Sequence, residues 1–491
     1  MIDTQAIRNK ILDLAIQGKL TKQLPKDGTA EELYRQIQEE KQELIKTGKI
    51  KKEKPLPKIT EDEIPFEIPR NWKWVRLSDF GSFSGGKTPS MVKKEFWDNG
   101  SIPWITSKDM KQKYIYSSEI MVSDLGAKEL TVYPEKTVLL VVRSGILRRM
   151  LPVAILKTNG TINQDLKALQ LYRPEMCEYA YYVLKGFEST ILFKYAKDGT
   201  TVNNIIFDTL LAMPVPLPSL AEQKRIVEKI EQTFSILDTI DELQTKYANN
   251  LSALKSKLID LAIQGKLTKQ LPEDGTAEEL YQQIQQEKQE LIKAGKIKKE
   301  KPLPKITEDE KPFDIPRNWK WVRVATIGIT VTGGTPAKSH PEYYGGDYPF
   351  FKPSDLDAGR HITIASEYLS ESGKAVARRF SKNSILVCCI GSIGKSAIID
   401  NEGTANQQIN ALTPVICDSD YLLYAINSDC FFHQLNFGSR ATTVSIISKS
   451  KFDDCIVPLP PLAEQKRIVE KLEEVLAVCD SLPKMMNDKE M

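Results

Sequence analysis

Apolar residues recur every three or four positions in the middle of the chain, from about Ser219 to Gln264. This spacing is typical of a helix with one continuous apolar seam, as in coiled coils and bundles. Ser219 and Glu222 have the spacing of a capping box at its start, and Gly265 suits its end. We therefore predict one long helix of about 70 Å. Its apolar positions are Ile226, Ile230, Phe234, Leu237, Ile240, Leu243, Tyr247, Leu251, Leu254, Leu258 and Leu261.

The sequence around this helix occurs twice. Residues 13–76 and 260–323 agree at all but six positions, and LAEQKRIVEKI at 220–230 returns as LAEQKRIVEKL at 462–472. Between these blocks lie two stretches, 77–217 and 324–459, whose sequences differ widely. Two near-identical scaffold segments thus carry two divergent modules. We expect the scaffold to meet one kind of partner twice and the modules to meet different targets.

The second copy of the helix starts after Pro461 and runs out at Met491. Its missing half matches the N-terminus, where Met1 corresponds to Ala248 of the first copy. The chain is therefore a circular repeat cut inside one helix, which predicts pseudo-twofold symmetry and two long helices packed antiparallel. The residues that we expect to form the helix seam and to dock partners are Ile226, Ile230, Leu237, Leu251, Leu254, Leu258, Ile468 and Leu472.

A short amphipathic segment follows each long helix. Thr29 and Glu32, and likewise Thr276 and Glu279, have capping-box spacing, which predicts a second helix in each copy. A basic linker, KIKKEKPLPK, comes next. Two interpretations stay open: the helix docks a partner while the linker touches phosphates, or the whole segment is a solvated arm.

These patterns predict an α+β fold in which two globular, mixed modules are separated by two long antiparallel helices. Strand signals occur at equivalent places in both modules, beginning with Trp-Lys-Trp-Val-Arg at 72–76 and 319–323. The predicted boundaries are 1–60 for the N-terminal helical segment, 61–218 for the first module, 219–265 for the central helix, 266–307 for the short helix and linker, 308–460 for the second module and 461–491 for the C-terminal helix.

Composition sets only broad limits. The chain has 491 residues, a net charge of +3 and seven cysteines without a CxxC pair, so any basic surface must be local and a disulfide framework is not expected. The N-terminus carries charges where a signal peptide needs an apolar core, and apolar runs are far shorter than a membrane span. We expect a cytoplasmic protein without membrane contact.

Catalytic motifs are not apparent. The string from Gly391 to Ser396 resembles a phosphate-binding loop, but Cys389 stands where that motif needs its first glycine. The three histidines all lie in the second module, which excludes a duplicated histidine-based chemistry. We expect neither catalysis nor a bound metal or cofactor in this chain alone.

The turns of both modules suit nucleic acid. Gly-Gly turns bring backbone N–H groups close to phosphates, whereas Arg and Lys read guanine and Asn and Gln read adenine. For any one residue a role at the surface or in a turn is favoured over a base contact, and the repeated placement in both modules carries the hypothesis. The DNA-binding candidates are Lys87, Thr88, Lys108, Arg143, Arg148, Arg149, Asn203, Asn204, Thr335, Lys338, Lys352, Lys395, Gln407, Gln408 and Arg440.

The alternation of variable modules with repeated helices, the GGxTP turns, the GSIGK…NQQINA string at 391–411 and the PLPxLAEQKRIVEK helix start resemble the specificity subunit of type I restriction-modification systems. The resemblance covers essentially the whole chain. It implies two target-recognition domains that each read half of a bipartite, asymmetric site in double-stranded DNA. It also implies docking of two methyltransferase subunits, which bind S-adenosylmethionine and methylate adenine N6, with restriction subunits as further partners.

Two other functions stay open at this point. A methyltransferase fused to its own reader would need a catalytic motif that the chain lacks, and it would methylate DNA unaided. A structural coiled-coil adaptor would need no divergent modules and would show no sequence-selective DNA binding.

Overall fold

The structure, a computed structural model, describes residues 1–52, 55–197, 199, 202–299, 302–436 and 446–487. The chain divides into two compact units, Ile2–Gln244 and Thr245–Met491, here called the N-terminal and C-terminal units. Each unit combines a module of sheets and short helices with long helical segments, which confirms the predicted α+β class.

The N-terminal unit begins with a helix, continues through a mostly antiparallel module and enters the long central helix. Its helices are α1 (Thr4–Ile16), α2 (Ala30–Lys46), α3 (Asp124–Lys128), α4 (Cys177–Gly186), α5 (Glu188–Lys194), α6 (Phe207–Leu211) and the first half of α7 (Leu220–Ile263). Its strands are β1 (Lys73–Arg76), β2 (Gly81–Gly85), β3 (Ile102–Ile105), β4 (Tyr114–Ile115), β5 (Met121–Val122), β6 (Val138–Val141), β7 (Arg143–Ser144), β8 (Val153–Leu156), β9 (Thr161–Ile162), β10 (Leu166–Leu171), β11 (Ala196–Lys197), β12 (Asn203–Ile205) and β13 (Pro214–Leu217).

The C-terminal unit repeats this plan after the second half of α7. Its remaining helices are α8 (Ala277–Lys293), α9 (Glu371–Val376), α10 (Ser419–Ile426), α11 (Asp429–Asn436), α12 (Lys449–Asp454) and α13 (Leu462–Asn487). Its strands are β14 (Lys320–Arg323), β15 (Gly328–Thr332), β16 (Tyr344–Phe351), β17 (His361–Ile362), β18 (Glu367–Leu369), β19 (Ile385–Cys388), β20 (Ser396–Ile399), β21 (Thr404–Ala405), β22 (Ile409–Pro414) and β23 (Ile456–Leu459).

The two modules share one sheet topology. A five-stranded sheet has the order β2-β10-β6-β8-β4 in the first module and β15-β22-β19-β20-β17 in the second. The strand from the Trp-Lys-Trp-Val-Arg signal pairs with the strand that precedes the long helix, β1 with β13 and β14 with β23. The apolar runs VLLV and ILVC form the fully buried strands β6 and β19, because both faces of these strands are covered. Divergent sequences thus build equivalent modules.

The long helix α7 matches the predicted one to within a residue at each end. Gly265 follows it with a φ of +69°, a left-handed conformation that glycine adopts without strain. The predicted capping box is only half formed. The hydroxyl of Ser219 accepts the backbone N–H of Glu222 at 3.3 Å, but the Glu222 side chain is fully buried and turns away from that backbone. It accepts instead the indole N–H of Trp72 at 2.9 Å.

In the N-terminal unit, α1 runs antiparallel to the first half of α7. The Thr4 hydroxyl donates to Asp241 at 2.6 Å, and Arg8 binds the carboxylates of Asp238 and Asp241 at 2.8 and 3.0 Å. In the C-terminal unit, Lys255 on the second half of α7 forms an ion pair with Asp480 on α13. Each long helical segment therefore has a helical partner within its own unit.

Most of the predicted seam faces apolar neighbours. Five of its eight residues are buried and two, Leu251 and Leu258, are half-buried, whereas Leu254 is 45% exposed. Leu254 lies about 60° around the helix from Leu251 and about 80° from the buried Ala262, so it points past the packed face. Its assignment to the packed seam was wrong. The buried members are Ile226, Ile230, Leu237, Ile468 and Leu472.

The short helices α2 and α8 form as predicted. Both begin with complete capping boxes, Thr29 with Glu32 and Thr276 with Glu279. The apolar face of α2 packs into the core of its unit through Leu33 and Ile37, and α8 does the same at equivalent positions. The lysines of the basic linkers that the structure describes are exposed.

Candidate nucleic-acid interface

Two loops meet at the same place in each module. In the first module, the Lys87 N–H of the Gly-Gly turn donates to the Ile162 carbonyl at 3.1 Å. In the second module, the Gly334 N–H donates to the Ala405 carbonyl at 2.8 Å. A Cβ on Gly86 would lie 1.9 Å from the Ile162 carbonyl oxygen. Only glycine allows this approach, so the turn packs tightly against the second loop, which contains Asn163 and Gln164.

A threonine and a glutamine are joined across these two loops in both modules. The Thr88 hydroxyl donates to Gln164 Oε1, and the Thr335 hydroxyl donates to Gln407 Oε1, each at 2.5 Å. All four residues are exposed. Sequence reasoning selected three of them and missed Gln164. The signal was present, because Asn-Gln follows a short strand at 161–162 as it does at 404–405.

A third segment lies beside this pair of loops, and here the modules differ. The turns at 163–165 and 406–408, which contain Gln164 and Gln407, are here called the glutamine turns. In the first module, the carbonyl of Asp165 accepts the N–H of Val142 at 2.8 Å. Strand β7, which begins at the next residue, therefore lies beside the glutamine turn. Arg143 on β7 is paired with Asn204 on β12, and both are exposed. In the second module, the equivalent backbone bridge joins Ile390 to Ile446, which is 58% exposed.

Two other candidates of the first module are held within the protein. The Arg148 guanidinium donates to the Gly199 carbonyl at 3.1 Å and to Asn203 Oδ1 at 3.5 Å. Asn203 itself is buried, so its amide does not face solvent. Arg149 is exposed at the end of the turn that follows β7.

The lysine candidates fall into two groups. Lys87, Lys108 and Lys338 are exposed on turns. Lys352 is paired with Glu367 at 3.0 Å, and Lys395 with Asp357 at 2.5 Å, so a phosphate would have to compete with these carboxylates. Gln408 accepts a hydrogen bond from Asn406 at 2.9 Å, which turns it inward. Arg440 lies outside the described residues.

An ionic cluster ties each module to the long helix of its own unit. Lys113 contacts Glu231 of α7 at 2.5 Å and Glu178 at 2.8 Å. In the C-terminal unit, Arg360 occupies the equivalent place and contacts Glu473 of α13 and, at 3.2 Å, Asp420. Because the clusters join the module to a rigid helix, they fix the orientation of the loops relative to that helix.

His361, next to Arg360, bridges two carboxylates. Its Nδ1 lies 2.9 Å from Asp400 and its Nε2 lies 2.8 Å from Asp420. Partial burial lowers the pKa of this histidine, but the hydrogen bonds to the two carboxylates outweigh burial and leave its pKa raised. The arrangement is a charge bridge between the edge strand β17 and α10.

Among the described residues, no cluster of three or more His, Cys, Asp or Glu side chains has the arrangement of a metal site. No helix in the described part of the chain is long and apolar enough to cross a membrane. The N–H groups of Lys87 and Gly334 in the Gly-Gly turns donate to carbonyls within the protein, so the candidate surface consists of side-chain amides, hydroxyls and basic groups on the turns.

Comparison with known proteins accounts for this architecture. The family model described as type I restriction modification DNA specificity domain matches residues 69–247 and 316–489, one match for each module with its long helix. The chain belongs to the family of type I restriction-modification specificity subunits. The expected resemblance is thereby confirmed over most of the sequence.

Similar specificity subunits match the chain over different lengths. The specificity subunit of the type I restriction enzyme EcoAI from Escherichia coli is 27% identical, and the alignment covers 97% of this chain and 89% of that protein. The EcoR124I/EcoR124II specificity subunit, also from Escherichia coli, is 36% identical over 35% of this chain and 43% of that protein.

A solved structure supports the fold. A chain from a structure of the type I restriction-modification system, determined to explain complex assembly and conformational transition, superposes with a TM-score of 0.57 at 18% identity. The match covers 87% of the specificity subunit and 95% of that chain. At this identity the likeness supports the fold alone.

Proposed function

We propose that each module reads one half of a bipartite, asymmetric site in double-stranded DNA. The observation that carries this proposal is the pair of equivalent backbone bridges beside the glutamine turns. The first module presents Arg143 opposite Asn204, and the second presents Ile390 opposite Ile446. Arginine and asparagine suit guanine and adenine edges, whereas an apolar side chain suits the thymine methyl group. Two modules that share one backbone arrangement but present different side chains can read two different half-sites, as an asymmetric target requires.

The long helices dock two methyltransferase subunits in this proposal. Apolar residues that the modules leave exposed recur at equivalent positions of the repeat: Ile236 of α7 is 61% exposed, and Val478 of α13 is 56% exposed. Ile7 of α1 and Leu254 of α7 form a second equivalent pair, at 38% and 45%. Because the repeat presents exposed apolar residues at the same positions twice, it offers similar surfaces to two copies of one partner.

In this proposal the partner subunits carry out the catalysis. The specificity subunit itself is non-catalytic, and S-adenosylmethionine is bound by the methyltransferase subunits, which methylate adenine N6. Restriction subunits join the assembly as further partners. The long helices set the spacer between the two half-sites, since α7 is continuous from Leu220 to Ile263 and belongs to both units.

Methylome sequencing tests the proposal. A host without its own adenine methylation receives this chain, its methyltransferase subunit, or both. We expect N6-methyladenine in a two-part motif with a fixed spacer only when both are present. Methylation by either chain alone in the same motif, or a motif that is one uninterrupted block, would contradict the proposal.

A further inference from the structure

The hydrogen-bonded pair of Thr88 with Gln164 and its counterpart, Thr335 with Gln407, are side-chain features that the two divergent modules share. Each pair is exposed, and each has the same donor, acceptor and separation of 2.5 Å. The neighbouring positions differ in chemical character, as with Arg143 and Ile390. Because the two modules otherwise present different side chains, the shared threonine–glutamine pair indicates that the two half-sites have one base in common.

The backbone holds both glutamines in one orientation. Asn163 accepts the N–H of Asp165 at 3.1 Å, and Asn406 accepts the N–H of Gln408 at 3.0 Å, so each glutamine occupies the tip of the same tight turn. The preceding strands pair alike with their neighbours, β9 with β3 and β21 with β16. The glutamine side chain at the tip of each turn is therefore exposed, and the paired strand before it holds the turn in place.

Each glutamine carboxamide has the same orientation in the structure. The threonine hydroxyl donates to Oε1 in both pairs, so Oε1 lies toward the threonine and Nε2 lies away from it. Oε1 keeps a second lone pair that remains able to accept a hydrogen bond. A glutamine fixed in this way offers one donor and one acceptor side by side, the pair that matches N7 and N6–H of adenine in the major groove.

We propose that Gln164 and Gln407 each contact an adenine that the two half-sites have in common, and that Thr88 and Thr335 are positioning residues for this contact. The proposal rests on the proposed function, in which each half-site contains an adenine for N6 methylation. The common adenine lies at the same distance from the methylated position in both half-sites. The divergent residues beside each glutamine read the remaining bases.

The test uses the full chain assembled with its methyltransferase and the site read from the wild-type methylome. Each adenine of each half-site is replaced in turn by 7-deazaadenine, which removes the N7 acceptor. Wild-type binding should weaken at one adenine per half-site, at matching positions. Gln164→Glu should lose about 5- to 150-fold in affinity and become insensitive to the substitution in one half-site only. Gln407→Glu should do the same in the other half-site.

Two controls separate a base contact from charge and from misfolding. Gln112→Glu makes the same charge change at an exposed glutamine outside these loops and should bind as the wild type does. Thr88→Val should weaken recognition in the same half-site as Gln164→Glu, and Thr88→Ser, which keeps the donor, should restore it. Normal circular dichroism and assembly with the methyltransferase show that each variant is folded.

The proposal is overturned if Gln164→Glu stays sensitive to 7-deazaadenine at every position, or loses affinity equally for an unrelated duplex. It is also overturned if both half-sites respond to one variant. A wild-type methylome without a two-part motif would instead remove the proposed function itself, so the two failures are distinguishable.

Discussion

The indole nitrogen of Trp319 lies 2.8 Å from a carboxylate oxygen of Glu464, and both side chains are buried. Trp72 and Glu222 repeat the contact in the N-terminal unit at 2.9 Å. The tryptophan lies in the repeated segment that leads into the module, and the glutamate lies in the first turn of the long helix. Each module is therefore joined to its helix by a hydrogen bond between two near-identical scaffold segments, and the divergent sequence takes no part in it.

Trp319→Phe should destabilise the C-terminal unit by about 1–3 kcal/mol, because it leaves a buried carboxylate short of one donor. Trp321→Phe is the matched control, since its indole nitrogen is buried without a hydrogen-bond partner in the described part of the chain. Chemical denaturation followed by circular dichroism measures both variants. Equal losses of stability would show that tryptophan volume, and not the hydrogen bond, is what matters.

Ile230 and Ile236 separate the folding role of α7 from its docking role. Ile230 is fully buried, so Ile230→Asp should lower the thermal midpoint strongly, because an unpaired buried charge costs several kcal/mol. Ile236 is 61% exposed, so Ile236→Asp should fold normally and weaken assembly with the methyltransferase. Thermal scans and size exclusion with the partner distinguish the two effects. Unchanged assembly of Ile236→Asp would remove this residue from the docking surface.

The His361 bridge should make stability depend on pH. The folded-state pKa of His361 is raised, so its contribution is fully present below the unfolded value of about 6.5 and is lost as pH rises through the folded value. The difference in thermal midpoint between the wild type and His361→Gln should therefore be largest at acidic pH and shrink as the pH rises above about 6.5. A difference that does not vary with pH would contradict the bridge.

The sequence predicted the helices and the repeat well, because periodic apolar positions and capping residues are local signals. It did not predict that the Glu222 carboxylate leaves its capping box for Trp72, since that partner is distant in sequence. The burial of Asn203 and the exposure of Leu254 depend in the same way on which neighbours the fold supplies. Gln164 was missed because its significance appears only when Thr88 is placed beside it.

The long helix should act as a ruler for the spacer. Inserting four residues after Tyr247 adds about 6 Å and rotates the following helix by about 40°. The spacer should grow by one or two base pairs, at about 3.4 Å each, with a small loss of activity and with both half-sites unchanged. Methylome mapping of the insertion variant decides the matter. An unchanged spacer with full activity would favour modules on flexible connections.

The central claim is that the two modules read DNA independently. Replacing residues 77–217 by the corresponding module of a related subunit, and sequencing the methylome of a host with the chimera and its methyltransferase, tests that claim most directly. Sequence divergence is confined to the modules, and each module has its own loops and its own junction to the scaffold. We expect one half of the motif to change, while the other half and the spacer stay the same. A change of both halves together would contradict the account.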